Sequence, residues 1–447
     1  MNGIELSTNE SKETDMTMNE LPQLHVIGLG IDETAQLAPD AIEALQQADL
    51  VVGSPRQLQT VAAHREPLSK QQVHDFKGIP VLKKILHSGE YRRVAILASG
   101  DPLYYGIGRW CHNSFPADRV TSYPGTSSIQ GACHRLGLSQ QDIEVLSLHG
   151  RPVQKLRTRL RPNQPLLILT DKHSTPWALA RICRDCGFDQ SRLTVVEALG
   201  YPQEQVRSFS VEQLIDGDYG FDPLHLTLIE PAGDGWLPRF PGIADHHFIT
   251  DGDEPGKGMI SKREVRLSIL SLLQLAKGER VWDIGAGCGG VAVELAYWQP
   301  EAEVVAIEQH PQRLDCLRQN RERFGVVANL EIIEGRAPEA LEELAVPDKV
   351  FVGGSDGELA PLLDQLWQRL PEGGVLVASA VTEPTRAILS QFSQKMTAQF
   401  GDRVTQESVQ LGVARGESLA GQLCFKPNLP VVLFRFQKTA GGEHGSR

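Results

Sequence analysis

Val281-Trp282-Asp283-Ile284-Gly285-Ala286-Gly287-Cys288-Gly289-Gly290 is an apolar strand that ends in an acid, a run of glycines and the start of a helix. Glycines at such a turn let backbone approach a ligand closely. Glu308 closes the next apolar run, at the spacing where the acid of a Rossmann-like unit receives two ribose hydroxyls. The acid at Asp283 decides which nucleotide suits the turn. It would repel a pyrophosphate but tolerates the amino group of a sulfonium ligand, which favours S-adenosylmethionine (SAM) over a dinucleotide. Asp283, Gly285, Ala286, Gly287, Cys288, Gly289 and Glu308 are therefore candidate cofactor contacts.

Alternating strands and helices must hold such a turn, and the second half of the chain supplies them. Strands are predicted at Arg280 to Ile284, Glu303 to Ile307, Leu330 to Ile333, Lys349 to Val352 and Gly374 to Ala378. A helix from about Lys262 to Ala276 precedes them, with Ser261 as N-cap and Glu264 completing a capping box. Gly421 to Phe425 and Pro430 to Phe436 read as a closing antiparallel hairpin. The first half shows its own alternation: Leu24 to Gly28, a helix over Ala38 to Ala48, then Leu50 to Val52, Val94 to Ala98, a helix over Ile129 to Leu136, and Leu166 to Thr170. Both halves are α/β with mostly parallel sheets. Residues 231 to 258 lose periodicity and collect Pro, Gly and Asp. The expected layout is a disordered tail at 1–20, a first domain at 21–231, a linker at 232–258, a second domain at 259–438 and a tail at 439–447. No repeat links the halves.

Composition removes several function classes. The 447 residues carry a net charge of -12, so no broad positive field exists to hold a nucleic-acid backbone. No run approaches the ~18 apolar residues of a membrane helix. Residues 1–20 lack both the cationic start and the apolar middle of a secretory signal. Seven cysteines form an odd, scattered set, consistent with a reducing cytoplasm. Cys183-x-x-Cys186 has no second pair at zinc-site spacing and reads as the end of a helix stopped by Gly187, so no metal is expected.

Gly258-Met259-Ile260-Ser261-Lys262-Arg263-Glu264-Val265-Arg266, Glu334-Gly335-Arg336-Ala337-Pro338 and Val352-Gly353-Gly354 flank the glycine turn. With them the second half resembles the decarboxylating precorrin methyltransferases of cobalamin synthesis, a class I SAM-dependent, Rossmann-like fold. The resemblance implies that Ser261, where the family usually has Thr, and Ala337 join Gly285 to Gly289 and Glu308 around SAM. The first half resembles the tetrapyrrole methylase family from about Leu24 to Glu230, on Gly28-Leu29-Gly30, Ala98-Ser99-Gly100-Asp101-Pro102, Pro124-Gly125-Thr126-Ser127-Ser128, Ser147-Leu148-His149-Gly150-Arg151 and Leu169-Thr170-Asp171. Its first motif departs from the family's Gly-x-Gly-Pro-Gly, continuing as Ile31-Asp32. This resemblance implies a fold of two subdomains with SAM in the cleft, contacted by Ser99, Gly100, Asp101, Ser127, Ser128 and Thr170.

Together, the modules resemble bifunctional corrin-pathway methylases. The implied reaction moves methyl groups from two SAM molecules to carbons 5 and 15 of a precorrin and removes the ring C acetate carboxyl as carbon dioxide. The substrate's own electron-rich carbons are the nucleophiles, which is why no nucleophile motif is needed and no catalytic residue is assigned. The substrate is a polycarboxylate, and Lys262, Arg263, Arg266 and Arg336 are its candidate partners. Arg151, Lys155, Arg157, Arg159 and Arg161 form a second basic run that also reads as a solvated face, and His149 and His310 are proton carriers only if their turns are not structural. A homo-oligomer is the expected assembly. An RNA methylase and a non-catalytic tetrapyrrole carrier are the alternatives; the acidic charge opposes the first and the intact Asp283 to Gly290 run the second.

Overall fold

The computed structural model describes residues 21–64, 71–254, 256–354 and 357–439. The expected tail at 1–20, residues 440–447 of the other tail, and Pro255 within the expected linker lie outside them. The chain forms two compact units.

Among the described residues the first unit holds 21–64, 71–147, 164–172 and 192–230, and it contains two sheets. In the first sheet β1 (Gln23–Gly28), β2 (Leu50–Gly53), β3 (Gln72–Asp75), β4 (Arg93–Ala98) and β5 (Val120–Tyr123) lie in the order β3-β2-β4-β1-β5, with all pairs parallel. A parallel sheet is covered on both faces, so its central strands are continuous apolar runs: Val94 to Ala98 of β4 are all buried. The second sheet contains β6 (Glu144–Ser147), β7 (Leu166–Leu169), β8 (Arg192–Glu197), β9 (Gln205–Ser210) and β10 (His225–Glu230) in the order β6-β7-β10-β8-β9. Only β6 and β7 pair in parallel; β10 runs antiparallel to both its neighbours. The two sheets give the two-subdomain arrangement of a tetrapyrrole methylase.

Among the described residues the second unit holds 148–163, 173–191, 231–254, 256–354 and 357–439. Its seven-stranded sheet takes β11 (Arg280–Ile284), β12 (Glu303–Glu308), β13 (Leu330–Glu334), β14 (Lys349–Val352), β15 (Val375–Ala380), β16 (Val404–Leu411) and β19 (Val431–Lys438) in the order β13-β12-β11-β14-β15-β19-β16. The first five are parallel, and β19 is antiparallel to both β15 and β16. This is the Rossmann-like class I methyltransferase sheet. The remaining strands, β17 (Ala414–Leu419) and β18 (Gln422–Pro427), pair only with each other, and every residue in them is exposed.

Three sequence expectations change. The hairpin expected from Gly421 to Phe436 does not form, because β18 has no buried position, whereas Leu433 and Phe436 of β19 insert into the core. The helix spans Arg263–Leu273, with Lys262 at the N-cap and no side-chain cap from Ser261. Asp245 replaces it, its Oδ1 accepting from the Arg263 N–H at 3.0 Å. Residues 232–258 are a packed strap rather than a spacer. Ile243 and Phe248 join the core, Glu294 accepts from the N–H of Gly242 (2.8 Å) and Ile243 (3.0 Å), and Asn320 exchanges hydrogen bonds with the Ile249 backbone. Residues 148–163 and 173–191 pack with the second unit. Their polar groups find partners there: Arg161 donates to the Tyr297 hydroxyl at 3.2 Å, and Trp236 donates to the Asp185 carbonyl at 2.8 Å.

Cys183 and Cys186 are both buried free thiols beside the end of the helix Pro176–Asp185, and burial pushes the Cys186 thiol up to about 11. Among the described residues no cluster of His, Cys, Asp and Glu could hold a metal ion, and no helix is long and apolar enough to cross a membrane.

Candidate active sites

In the first unit three turns meet where β1, β4 and β5 end, the edge at which parallel α/β sheets bind ligands. Gly30 and Gly100 exchange backbone hydrogen bonds at 3.3 and 3.0 Å. A Cβ at Gly125 would lie 2.5 Å from the Gly100 carbonyl oxygen and 2.8 Å from Gly28 and Gly30 backbone atoms, so only glycine permits this closeness. The neighbouring side chains are partly committed. Asp101 Oδ1 accepts from the N–H of Leu103 (2.8 Å) and Tyr104 (3.1 Å), closing its turn. Ser127 is buried and caps the helix Ser128–Leu136 in a capping box with Gln130. Thr170 donates to the His225 carbonyl at 2.5 Å. Ser99 stays exposed, its Oγ accepting from Gln57 at 3.1 Å and Arg56 at 3.3 Å. Next to Thr126 a cavity of about 390 Å³ opens, lined also by Ile31, Gln130, Gly131, His134, Arg135 and Leu199. Sequence patterns pointed to the turns but not to this wall, whose residues come from three separate segments.

The second unit carries a larger cavity of about 850 Å³, at the C-terminal ends of β11, β12, β14 and β15. The glycine turn forms its floor. Gly285 (φ +70°) and Gly287 (φ +60°) adopt left-handed conformations, and a Cβ at Gly287 would lie 2.5 Å from the Met259 carbonyl oxygen. Gly285 is held against Gly354, whose backbone N and O a Cβ would meet at 2.8 Å. Glu308 is buried and fixes the turn, since its Oε2 accepts from the Gly287 N–H at 2.8 Å while Oε1 accepts from Gln309 and His310 at 2.9 Å each. Asp283 lines the cavity and is 1% exposed, yet neither carboxylate oxygen has a partner of hydrogen-bond geometry. Burial raises its carboxyl to about 7, opposed by the Ala292 amide and reinforced by the Glu308 charge.

Ser261, Lys262, Ala286, Ala337 and Arg336 line the same cavity. Lys262 is half-buried, donates to the Gly256 carbonyl at 2.7 Å, and has its pKa lowered chiefly by burial. His310 and Arg313 also line it, with Arg313 3.2 Å from Asp251. Cys288 and Gly289 do not. The buried Cys288 thiol turns toward Asp251 at 3.5 Å, and Gly289 packs under Leu317 at the start of the helix Gly290–Trp298.

Two expected substrate contacts are misplaced. Arg263 is not part of the lining; its exposed side chain meets Glu264 at 3.2 Å. Arg266 is fully buried and bonds Asp245 (2.7 Å), Glu294 (2.8 Å) and the carbonyls of Ser261 and Ile243, over the Phe248 ring. Helical spacing turns position 266 inward, opposite the acids of the strap and of the helix Gly290–Trp298. Replacing Arg266 by Met should destabilise the second unit by about 3–5 kcal/mol, because the buried Glu294 loses its cation and Asp245 keeps only Arg415 at 3.1 Å; urea unfolding measures this. The second basic run is also structural where its contacts are defined: Arg157 pairs with Asp185 at 3.0 Å, and Arg161 lies over the Tyr297 ring. His149 lines neither cavity.

Residues 23–215 match the family model of tetrapyrrole (corrin/porphyrin) methylases, and residues 255–438 match that of the precorrin methyltransferase domain. A precorrin-6Y C(5,15)-methyltransferase [decarboxylating] from Sinorhizobium sp is 34% identical, over 93% of this chain and 97% of that protein. The chain belongs to the precorrin-6Y C(5,15)-methyltransferase (decarboxylating) family. A member of this family from Mycobacterium tuberculosis is 31% identical over 92% of this chain and 99% of its own length. A cobalt-precorrin-6B C(15)-methyltransferase (decarboxylating) from Salmonella typhimurium is 34% identical over 44% of this chain and 96% of its own. Members of the family thus align with both halves of the chain, whereas the Salmonella protein matches less than half of it.

Proposed function

We propose that the chain methylates carbons 5 and 15 of a precorrin and removes its ring C acetate carboxyl, using SAM at two sites. The observation that carries this reading is a pair of unlike glycine-built sites, one in each unit of a chain that matches the whole length of its relatives. The second cavity fits SAM: Gly285 and Gly287 leave room that a Cβ would fill, Asp283 is an unpartnered acid for a cationic group, and Glu308 stands at the ribose position. SAM supplies the methyl group already activated on a sulfonium. The protein then aligns donor and acceptor carbon, excludes water and lets one proton leave per methylation. Lys262 and Arg336 would hold substrate carboxylates at this cavity. In the first unit the amides around Gly30, Gly100 and Gly125 would hold the second SAM, with Ser99, Ser127, Ser128 and Thr170 around them.

The test is direct. Purified protein, SAM and the precorrin macrocycle should give a product heavier by two methylenes and lighter by one carbon dioxide. A product with neither change would overturn the reading. We assign carbon 5 to the first unit and carbon 15 with the decarboxylation to the second.

A homo-oligomer is proposed for the assembly, supported by the β17–β18 ribbon, which exposes Leu419, Leu423 and Phe425 at 68–71%. Leu423→Glu with Phe425→Glu should reduce the mass seen by light scattering; an unchanged mass would remove the ribbon from the interface. A reducing cytoplasm is the proposed location.

A further inference from the structure

The second cavity is chemically two-sided. Its ionisable lining groups, Lys262, Asp283, Glu308, His310, Arg313 and Arg336, all come from the segment before the helix Arg263–Leu273, from the ends of β11, β12 and β13, and from the first turn of the helix Pro311–Phe324 that follows β12. The wall beyond β14 is built differently. Val381, Leu411, Val413, Leu429 and Val431 line it, and among the described residues its only polar members are Ser379 and Asn428. The apolar residues are contiguous: Leu411 pairs directly with Val431 across β16 and β19, and the Asn428 N–H donates to the Val413 carbonyl at 2.8 Å. In the sheet order, β19 lies four strands from β12, where Glu308 ends. At ~4.8 Å per strand that is about 19 Å, so the apolar wall is outside the ribose end of the site and faces the acceptor.

We propose that this apolar wall is where the departing acetate carboxylate is placed, and that the wall, exposed at Val381 and Leu429 until the bound macrocycle covers it, then promotes decarboxylation by keeping water and cations from the carboxylate. This rests on the reading above, that the second unit methylates and decarboxylates a precorrin. In the step, the bond between the acetate methylene and its carboxyl carbon breaks, and carbon dioxide leaves. The electron pair stays on the methylene carbon in conjugation with the macrocycle, and a proton from water converts the methylene to a methyl. A carboxylate held by Lys or Arg would be stabilised as the reactant and would not leave. Against aliphatic side chains the localised charge is poorly solvated, whereas the dispersed charge of the transition state loses less. The cavity therefore sorts carboxylates: those to be kept go to Lys262 and Arg336, and the one to be lost goes to the opposite wall.

Placing a cation on the wall tests this. Leu429 is 76% exposed, so Leu429→Lys should leave folding intact, and Val413→Lys gives an independent second variant. Each is incubated as the full chain with SAM and the precorrin macrocycle, and the methylated products are separated by mass. The expected result is that the ratio of decarboxylated to carboxyl-retaining product falls at least tenfold in both variants, while Val346→Lys, which adds a cation at an exposed position outside the cavity lining, keeps the wild-type ratio. An unchanged ratio in both variants would overturn the proposal. So would equal loss of methylation and decarboxylation, which would make the wall a general substrate surface. Wild-type protein that adds no methyl group would instead overturn the functional reading itself.

Discussion

Gly125→Ala will stop methylation at carbon 5 and leave carbon 15, and Gly287→Ala will do the reverse. At position 125 a methyl group would lie 2.5 Å from the Gly100 carbonyl oxygen and 2.8 Å from backbone atoms of Gly28 and Gly30. All three are backbone, so no side chain can swing aside; the turns must separate and lose the arrangement that would receive SAM. At position 287 the obstacle is the Met259 carbonyl oxygen at 2.5 Å, and φ of +60° adds the strain of a left-handed residue. Such local strain costs about 1–3 kcal/mol, which a unit of this size should survive. Each activity should fall more than about a hundredfold, a barrier change of ~2.7 kcal/mol. Mass spectrometry distinguishes the outcomes, because only the product of Gly125→Ala should have lost carbon dioxide. Calorimetry should find one SAM per chain in each variant. Two folded variants that each lose both methylations would contradict the assignment of one site per unit.

The second large effect concerns Asp283. In a Gly125→Ala background, Asp283→Asn should make the chain more stable at pH 8 while weakening SAM binding about a hundredfold, corresponding to the ~3 kcal/mol upper range for a hydrogen bond to a charged group. The sign follows from the raised carboxyl. Its pKa is about 7 in the fold against an ordinary 3.8, so between pH 4 and pH 7 the unfolded chain loses a proton that the folded chain keeps. Stability contributed by this group is therefore full below pH 4, declines as pH rises toward 7 and is flat above it. The Asn variant no longer loses that stability as the pH rises. A cationic ligand favours the ionised acid, so SAM affinity of the Asp283 form should rise from pH 6 to pH 8 with release of a proton. The Asn variant should lack that dependence. Urea unfolding at pH 5 and pH 8, with calorimetry in buffers of different ionisation enthalpy, measures both effects. An Asn variant that is less stable at pH 8, or binds SAM with the same pH dependence, would rule this account out.

The elements closest to the chemistry were the easiest to read from sequence. β11 and β14 fall at the predicted residues, because a strand buried on both faces is a continuous apolar run with sharp ends. Glycines at 285 and 287 were also legible, since a left-handed turn against backbone admits little else. Arg266 was not. Its type suits a carboxylate-binding site, and only the packing of Asp245 and Glu294 around it reveals a buried ion network. The strap 232–258 was similarly opaque, because its hydrogen bonds go to Glu294 and Asn320 instead of to periodic neighbours. Exposed Leu429 and Asn428 gave no signal at all; only closure of the sheet by β19 brings them to the cavity.

Local order and spacing of motifs determined that this chain holds two α/β methylases and where their glycine turns lie, since strand, turn and helix are properties of short segments. Tertiary structure decided which charges reach a site. A helix face, a strap and a returning strand are placed by packing across long sequence separations, and that packing buries Arg266, leaves Asp283 without a partner and sets an apolar wall opposite Lys262 and Arg336.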